Sequence, residues 1–299
     1  MSISDSLNGA TRVITIIGDP IAQVKSPAGV TQALIDHGRN AIVVPIHVAS
    51  ADLAGFIEGA SLARNLDGII VTIPHKFDAY RHCATATERA HFLGAVNILR
   101  RNADGGWHGD QVDGEGFVAG IRAAGCRPEG QRALMAGAGG AGSAIALALL
   151  EAGVAELAIH DGDQARRDAL IGRLRQRHGA KVRAGSADAS GRGLVVNATP
   201  SGMREGDALP IDATTLDRSS FVGEVITAPA VTPLLEAARR LGCKTQTGGG
   251  MFAAVCERII AFLLEGGPLA ESVSAPRSSG TPIDPAERPA ASRSTRGVS

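Results

Sequence analysis

Gly137-Ala138-Gly139-Gly140-Ala141-Gly142 follows one apolar run, and Asp161 closes the next. At that spacing the two features can hold a dinucleotide pyrophosphate and then test the adenosine ribose. Gly137 can take backbone angles denied to other residues. Gly139 lets the backbone approach phosphate, and Gly142 permits close helix–strand packing. A helix starting near Gly140 would point unpaired N–H groups at the anion. Asp161 can accept from a ribose diol and would repel a 2′-phosphate, which favours NAD over NADP. Arg166 and Arg167 bear on that choice, because either could reach a phosphate; surface charge is the role assigned to them. With 38 glycines in 299 residues, the pattern alone is weak. The strand before it, the helix after it and the acid at the right distance strengthen it.

A second turn, Asn197-Ala198-Thr199-Pro200-Ser201-Gly202-Met203, follows the apolar Leu194–Asn197. It sets small polar groups at the carboxyl edge of a sheet, where ligands bind in open α/β folds. Ala198 and Thr199 would allow close approach of a nicotinamide, and Met203 could pack on it. Lysine is scarce: only Lys25, Lys76, Lys181 and Lys244 occur. Cys83, Cys126, Cys243 and Cys256 are too widely spaced for a metal signature and read as reduced thiols of a cytoplasmic protein. No His, Cys and acid set suggests a metal site. His75, His82, His108 and His160 read as structural or solvent-facing, and no Ser-His-Asp arrangement can be assigned.

The elements that must position these residues alternate. Strands are expected over Thr11–Gly18, Asn40–His47, Leu66–Ile73 and Ala95–Arg100, and helices over Pro27–His37, Ala51–Leu62 and Phe77–Ala86. A mostly parallel sheet covered on both faces follows from that alternation. A second α/β unit begins with the helix Gly116–Gly125. Its strands are expected at Arg132–Ala136, Leu157–His160, Lys181–Ala184, Leu194–Asn197, Phe221–Ile226 and Lys244–Thr247. Its helices are Ser143–Glu151, Ala165–His178 and Pro233–Leu241, the last stopped by Gly242. Phe252–Leu264 is an apolar helix that comes after this unit is complete, so it can return to the first domain and leave a cleft between two lobes. From Gly266 the chain is rich in Pro, Ser and Arg without apolar period, which predicts a disordered, solvated tail.

Composition narrows the function classes. Apolar residues make up 44% of the chain, enough for two ordinary cores. The formal net charge is zero, which gives no support for a nucleic-acid partner. The start is polar and carries no signal-peptide pattern. Ala133–Leu150 lacks charge, but its glycines suit a buried strand, turn and helix better than a membrane span.

In chain order the motifs Gly18-Asp19-Pro20-Ile21, Lys25-Ser26-Pro27, Val71-Thr72-Ile73-Pro74-His75-Lys76, Gly94-Ala95-Val96-Asn97 and Gly109-Asp110-Gln111-Val112-Asp113-Gly114 come first. The Asn197–Met203 turn, Thr232-Pro233-Leu234-Leu235 and Gly250-Met251 complete the series. Together, from about Thr11 to Leu264, they resemble the shikimate/quinate dehydrogenase family. The resemblance implies a two-lobed α/β fold: a parallel or mixed substrate-binding and catalytic domain at 1–114 and a Rossmann-type NAD-binding domain at 115–248. A helix at 249–265 would return to the first domain, and the tail would occupy 266–299. It also implies Lys76 and Asp113 as the catalytic pair and Ser26, Thr72 and Asn97 as substrate contacts. Gly248 and Met251 are implied to lie by the cofactor, with Gly137–Gly142, Asp161, Asn197, Ala198, Thr199, Pro200 and Met203. The chemistry is sound without the resemblance. Oxidising a secondary alcohol requires removal of the hydroxyl proton as hydride leaves carbon, and a lysine held by a carboxylate can take that proton or stabilise the oxyanion in reverse.

Four positions depart from the family pattern. Val24 stands where a serine is usual, Ile70 for an asparagine, Thr227 for a tyrosine and Val255 for a glutamine. A polyhydroxylated acid would leave hydrogen bonds unmade there, each costing roughly 1–3 kcal/mol when buried. The expected substrate is therefore a small cyclic hydroxy compound less polar than shikimate, used by a cytoplasmic NAD-dependent oxidoreductase. Authentic shikimate or quinate dehydrogenase is the alternative. A non-catalytic NAD-binding sensor is disfavoured by the retained Lys76 and Asp113, and a folate-carbon dehydrogenase fits the Val71–Lys76 motif poorly. A homodimer is compatible with the sequence, which shows no interface.

Overall fold

The computed structural model describes residues 7–270. Two six-stranded sheets carry the chain. The β-branched run forms β1 (Arg12–Gly18), which pairs in parallel with β2 (Ala41–His47) and β3 (Leu66–Val71). All six residues of β3 are buried, as expected of a strand covered on both faces. Helices α1 (Ser26–Asp36) and α2 (Leu53–Leu62) belong to this sheet, and Pro27 sits in the first turn of α1, where its missing N–H costs nothing.

The first sheet is mixed, within the parallel or mixed expectation. β5 (Ile98–Arg101) and β6 (Trp107–Asp110) form an antiparallel pair, and β5 also runs antiparallel to β3. Their link is a short turn in which Gly105 takes φ +85°, and so short a connection can only reverse the chain. The helix expected over Phe77–Ala86 is likewise shorter: α3 covers Lys76–Tyr80, and Thr85–Ala86 becomes β4, paired with β6. β6 and α4 (Glu88–Leu93) are additional to the expected elements. The sheet order is β2-β1-β3-β5-β6-β4.

The second sheet is parallel throughout. It contains β7 (Arg132–Ala136), β8 (Glu156–His160), β9 (Val182–Ala184), β10 (Leu194–Asn197), β11 (Phe221–Glu224) and β12 (Lys244–Gln246). Read from β9, the order is β9-β8-β7-β10-β11-β12, the doubly wound dinucleotide-binding order. Its switch point falls between β7 and β10, where such sheets bind ligands. Helices α6 (Gly140–Glu151), α7 (Gln164–His178) and α8 (Pro233–Leu241) connect the strands.

Two helices join the sheets. α5 (Asp113–Ala123) packs on α6, and the last helix, α9 (Gly248–Glu265), packs on α5 and returns to α1 and β5. A single apolar cluster therefore runs through Ile14, Val30, Phe117, Ile145, Val196 and Ile259. On another side α7 meets α4. The Arg177 guanidinium lies 3.8 Å over the Phe92 ring and 3.0 Å from Glu88, and Arg173 donates to the Leu93 carbonyl. Arg173 and Arg177 thus tie α7 to α4 across the two lobes.

The tail expectation needs one correction. Leu269 is 4% exposed and joins the main core, and the Ala270 N–H donates to Gly267 O. A bulky apolar residue that finds a core site keeps its segment packed, so 266–270 belong to the fold. The rest of the expected tail, 271–299, lies outside the described residues. Among the described residues no helix is long and apolar enough to cross a membrane, and no His, Cys and acid group could hold a metal.

Candidate active site

The carboxyl edges of the two sheets face one cavity of about 220 Å³. From the first sheet come Val24 and Ser26 at the start of α1, Ile70 and Thr72 at the end of β3, Lys76 opening α3, and Asn97 before β5. Asp113 comes from the first turn of α5. The second sheet adds Ala141, Ala198, Thr199, Pro200, Met203 and Thr227, and α9 supplies Gly248, Met251 and Val255. Every expected substrate residue thus lines the same space as the expected catalytic pair.

Lys76 Nζ donates to Asp113 Oδ2 in a close ion pair. Lys76 is 8% and Asp113 6% exposed, so their attraction is poorly screened by water. Three further contacts orient the carboxylate. Asn97 Nδ2 donates to Asp113 Oδ1 at 2.9 Å, while Asn97 Oδ1 accepts from the Val112 N–H at 2.9 Å. The Asp113 N–H donates to Gln111 Oε1 at 3.1 Å. Asp113 also sits where the positive end of α5 favours an anion. Asn97 therefore spends its carbonyl and one N–H on the protein, which makes it a support for Asp113 before it is a substrate contact.

Polar groups are few elsewhere in the cavity. The hydroxyls of Ser26, Thr72 and Thr227 have no hydrogen-bond partner among the described residues, and Lys25 stands exposed on the lining. Val24, Ile70 and Val255 are joined by Ile16, Phe252 and Ile259, which the sequence reading did not single out. Phe252, Val255 and Ile259 recur at three and four residues on α9, a helical face that periodicity could have flagged.

At the other end, β7 runs into the glycine loop and α6. Gly137 has φ +106°, and its Cβ would stand 2.7 Å from the Ala198 backbone; only glycine fits. A Cβ on Gly139 would meet nothing within 4 Å, so the loop is open where a phosphate would approach. The N–H groups of Gly139, Gly140 and Ala141 find no partner among the described residues, as expected at a helix start. Chain and loop therefore fit a dinucleotide.

Two expected cofactor contacts are used differently from the sequence reading. Asn197 is fully buried. Its Oδ1 accepts from Thr199 N–H at 2.9 Å and Thr199 Oγ1 at 2.7 Å, and its Nδ2 donates to Ser201 O at 3.1 Å and Glu224 Oε1 at 2.9 Å. It builds the turn and leaves Ala198, Thr199 and Pro200 to face the cleft. Asp161 accepts from the Ala138 N–H at 2.6 Å and the Asp163 N–H at 2.8 Å, and Arg166 pairs with it at 2.7 Å. Burial works to raise its carboxyl, but hydrogen bonds from Arg166, Asp163 and Ala138 outweigh it and hold Asp161 below its ordinary value. Asp161 thus anchors the glycine loop, and Arg166 is its ion-pair partner as well as a surface charge. His75 is buried with Nε2 2.8 Å from Val48 O, a structural histidine.

Fold and site together define an oxidoreductase of CH–OH groups that uses a nicotinamide dinucleotide. The model of the shikimate dehydrogenase substrate binding domain matches residues 16–99, and the shikimate dehydrogenase (NADP+) of Rhodospirillum rubrum is 36% identical over 254 residues, spanning 82% of this chain and 89% of that one. The chain belongs to the shikimate dehydrogenase family. Solved structures agree. The ligand-free 5-ketofructose reductase of Gluconobacter sp. strain CHM43 superposes with a TM-score of 0.75 at 28% identity, covering 87% of this chain and 95% of its own. Quinate dehydrogenase from Corynebacterium glutamicum in complex with NAD gives 0.77 at 28% identity, covering 86% and 94%.

Proposed function

We propose that the chain interconverts a cyclic secondary alcohol and its ketone, with NAD preferred, on a substrate carrying fewer hydroxyls than shikimate. The observation that carries this reading is the buried Lys76–Asp113 pair on the wall of a mainly apolar cavity. When bound, a nicotinamide dinucleotide supplies the hydride acceptor or donor. Lys76 meets the substrate oxygen, taking its proton in oxidation and returning it in reduction. Asp113, held by Asn97 and Gln111, fixes the amine against that oxygen. Ser26, Thr72 and Thr227 offer unpaired hydroxyls to a polar end, with Lys25 beside them. Val24, Ile70 and Val255 face the rest of the ring. Contact between the lobes excludes water from the reacting groups.

On the same reading, 1–114 is the substrate-binding and catalytic domain, 115–248 the cofactor domain and 249–265 the helix that closes back on the first. NAD preference rests on the buried negative charge of Asp161, beside which Gly162 offers no side chain to receive a 2′-phosphate. The half-exposed Arg166 guanidinium supports the opposite reading, NADP, which the name of the R. rubrum relative carries. The likeness to a 5-ketofructose reductase supports substrates outside the shikimate type for this architecture.

The test is a turnover screen with NAD and NADP against shikimate, quinate and cyclic alcohols with fewer hydroxyls. The expected result is highest kcat/KM for NAD with a less hydroxylated ring; highest kcat/KM for shikimate would contradict the substrate reading. The pocket assignment makes its own prediction. Val24→Ser with Ile70→Asn should raise kcat/KM for shikimate about tenfold or more, from two regained hydrogen bonds worth about 1 kcal/mol each. Steady-state kinetics on the folded double variant would show no gain if these side chains do not face the ring.

A further inference from the structure

Three of the four glycines between 137 and 142 have roles that dinucleotide binding explains. Gly137 makes the tight turn against Ala198, Gly139 leaves open space for phosphate, and a Cβ on Gly142 would stand 2.2 Å from the Gly137 carbonyl oxygen. Gly140 is different. A Cβ there would lie 2.8 Å from Lys76 Cβ and 2.9 Å from Lys76 Cδ. Its immediate neighbour is the stem of the lysine on the opposite lobe. The Lys76 Cβ is bonded to the backbone of α3 and cannot swing aside as a side-chain tip can. Any side chain at 140 must therefore move α3, the start of α6, or both.

The other member of the pair is tied to the same residue. Gln111 is 1% exposed. Its Oε1 accepts from the Asp113 N–H, and its Nε2 donates to the Gly140 carbonyl at 3.5 Å, a long bond. The first residue of α6 thus touches the lysine stem directly and the aspartate through one glutamine.

We propose that Gly140 is a positioning residue for the Lys76–Asp113 pair, setting the reach of the amine by letting the glycine loop seat against the lysine stem. The inference rests on the reading of Lys76 as the proton-transfer group. It makes the cofactor loop part of the proton-transfer machinery as well as a phosphate cradle. Its consequence is a split in kinetic effect between two neighbouring glycines.

The experiment compares Gly140→Ala with Gly139→Ala in the full chain, using NAD titration by fluorescence, steady-state kinetics and the pH profile of kcat. Gly140→Ala should lower kcat by about tenfold to a hundredfold and move the profile, because small misplacement of reacting groups is costly. Its NAD Kd should change by a smaller factor than its kcat. Gly139→Ala should show the opposite balance, raising the NAD Kd by a larger factor than it lowers kcat. A Gly140→Ala enzyme that binds NAD poorly, with kcat and profile unchanged, overturns the proposal. If that variant does not fold, Gln111→Met reads the same linkage: lower kcat with unchanged NAD Kd supports it, and unchanged kcat overturns it. Lys76→Ala assayed alongside separates the two levels. Full turnover in Lys76→Ala would remove the functional reading itself, whereas its loss together with an unaltered kcat in Gly140→Ala would remove only this inference.

Discussion

Lys76→Ala should lower kcat by roughly a hundredfold to ten-thousandfold, the usual worth of a positioned acid–base group, and leave NAD affinity nearly intact. The amine has one partner, Asp113, and the two stand together in the cavity wall. Lys25, the other amine on the lining, is exposed and forms no ion pair with Asp113. The change also leaves a buried carboxylate without its cation, which in general costs about 3–5 kcal/mol. Asp113 retains the Asn97 amide and the start of α5, which soften that loss. Thermal melting should therefore accompany the kinetics, so that lost turnover in a folded enzyme is separated from unfolding. Unchanged kcat in the folded variant would remove Lys76 from the chemistry.

The second large effect concerns the choice of cofactor. Asp161→Asn should lower the ratio of kcat/KM with NAD to that with NADP on the order of tenfold, because on the proposed reading it removes a negative charge from beside the 2′ position at reduced dielectric. Arg166 would then be free of its ion pair and available to a phosphate. Asp161→Ala should do more: it also deprives the Ala138 N–H of its acceptor and loosens the glycine loop, so KM should rise for both cofactors. Equal ratios in wild type and Asp161→Asn, measured at one ionic strength, would show that Asp161 serves the loop alone.

Much of this was legible in the sequence because several local signals agreed. The run Val13–Ile17, the Pro27 helix start, the glycine loop and the Gly242 helix stop each specify an element without tertiary help, and the structure has all of them. The parallel order of the second sheet follows from strands that alternate with helices. The first sheet is less legible where the signal is non-local. Trp107-His108-Gly109-Asp110 has neither an apolar run nor clear alternation, and it becomes a strand because β5 offers it an edge. Thr85–Ala86 is too short to register and exists only through pairing with β6. The helix over Lys76–Tyr80 is shorter than expected, and nothing in Arg81–Ala84 is a strong breaker that would mark its end.

The site divides in the same way. Which residues meet could be anticipated from motif order. What each polar atom does could not, since it depends on partners distant in sequence. Asn197 looks like a cofactor contact until Glu224, 27 residues away, takes its amide. Asp161 reads as a ribose acceptor, and the Ala138 N–H and Arg166 also share its carboxylate. Gly140 looks like one more glycine in a phosphate loop until the stem of Lys76 is found against it.

A crystal structure of the enzyme with NAD and a slowly turned over cyclic alcohol tests the account most directly. The prediction is one substrate oxygen about 3 Å from both Lys76 Nζ and the Asp113 carboxylate, with the carbinol carbon facing the nicotinamide. An alcohol oxygen held by Ser26 and Thr227, with Lys76 and Asp113 still closed on each other and remote from the reacting carbon, would contradict it.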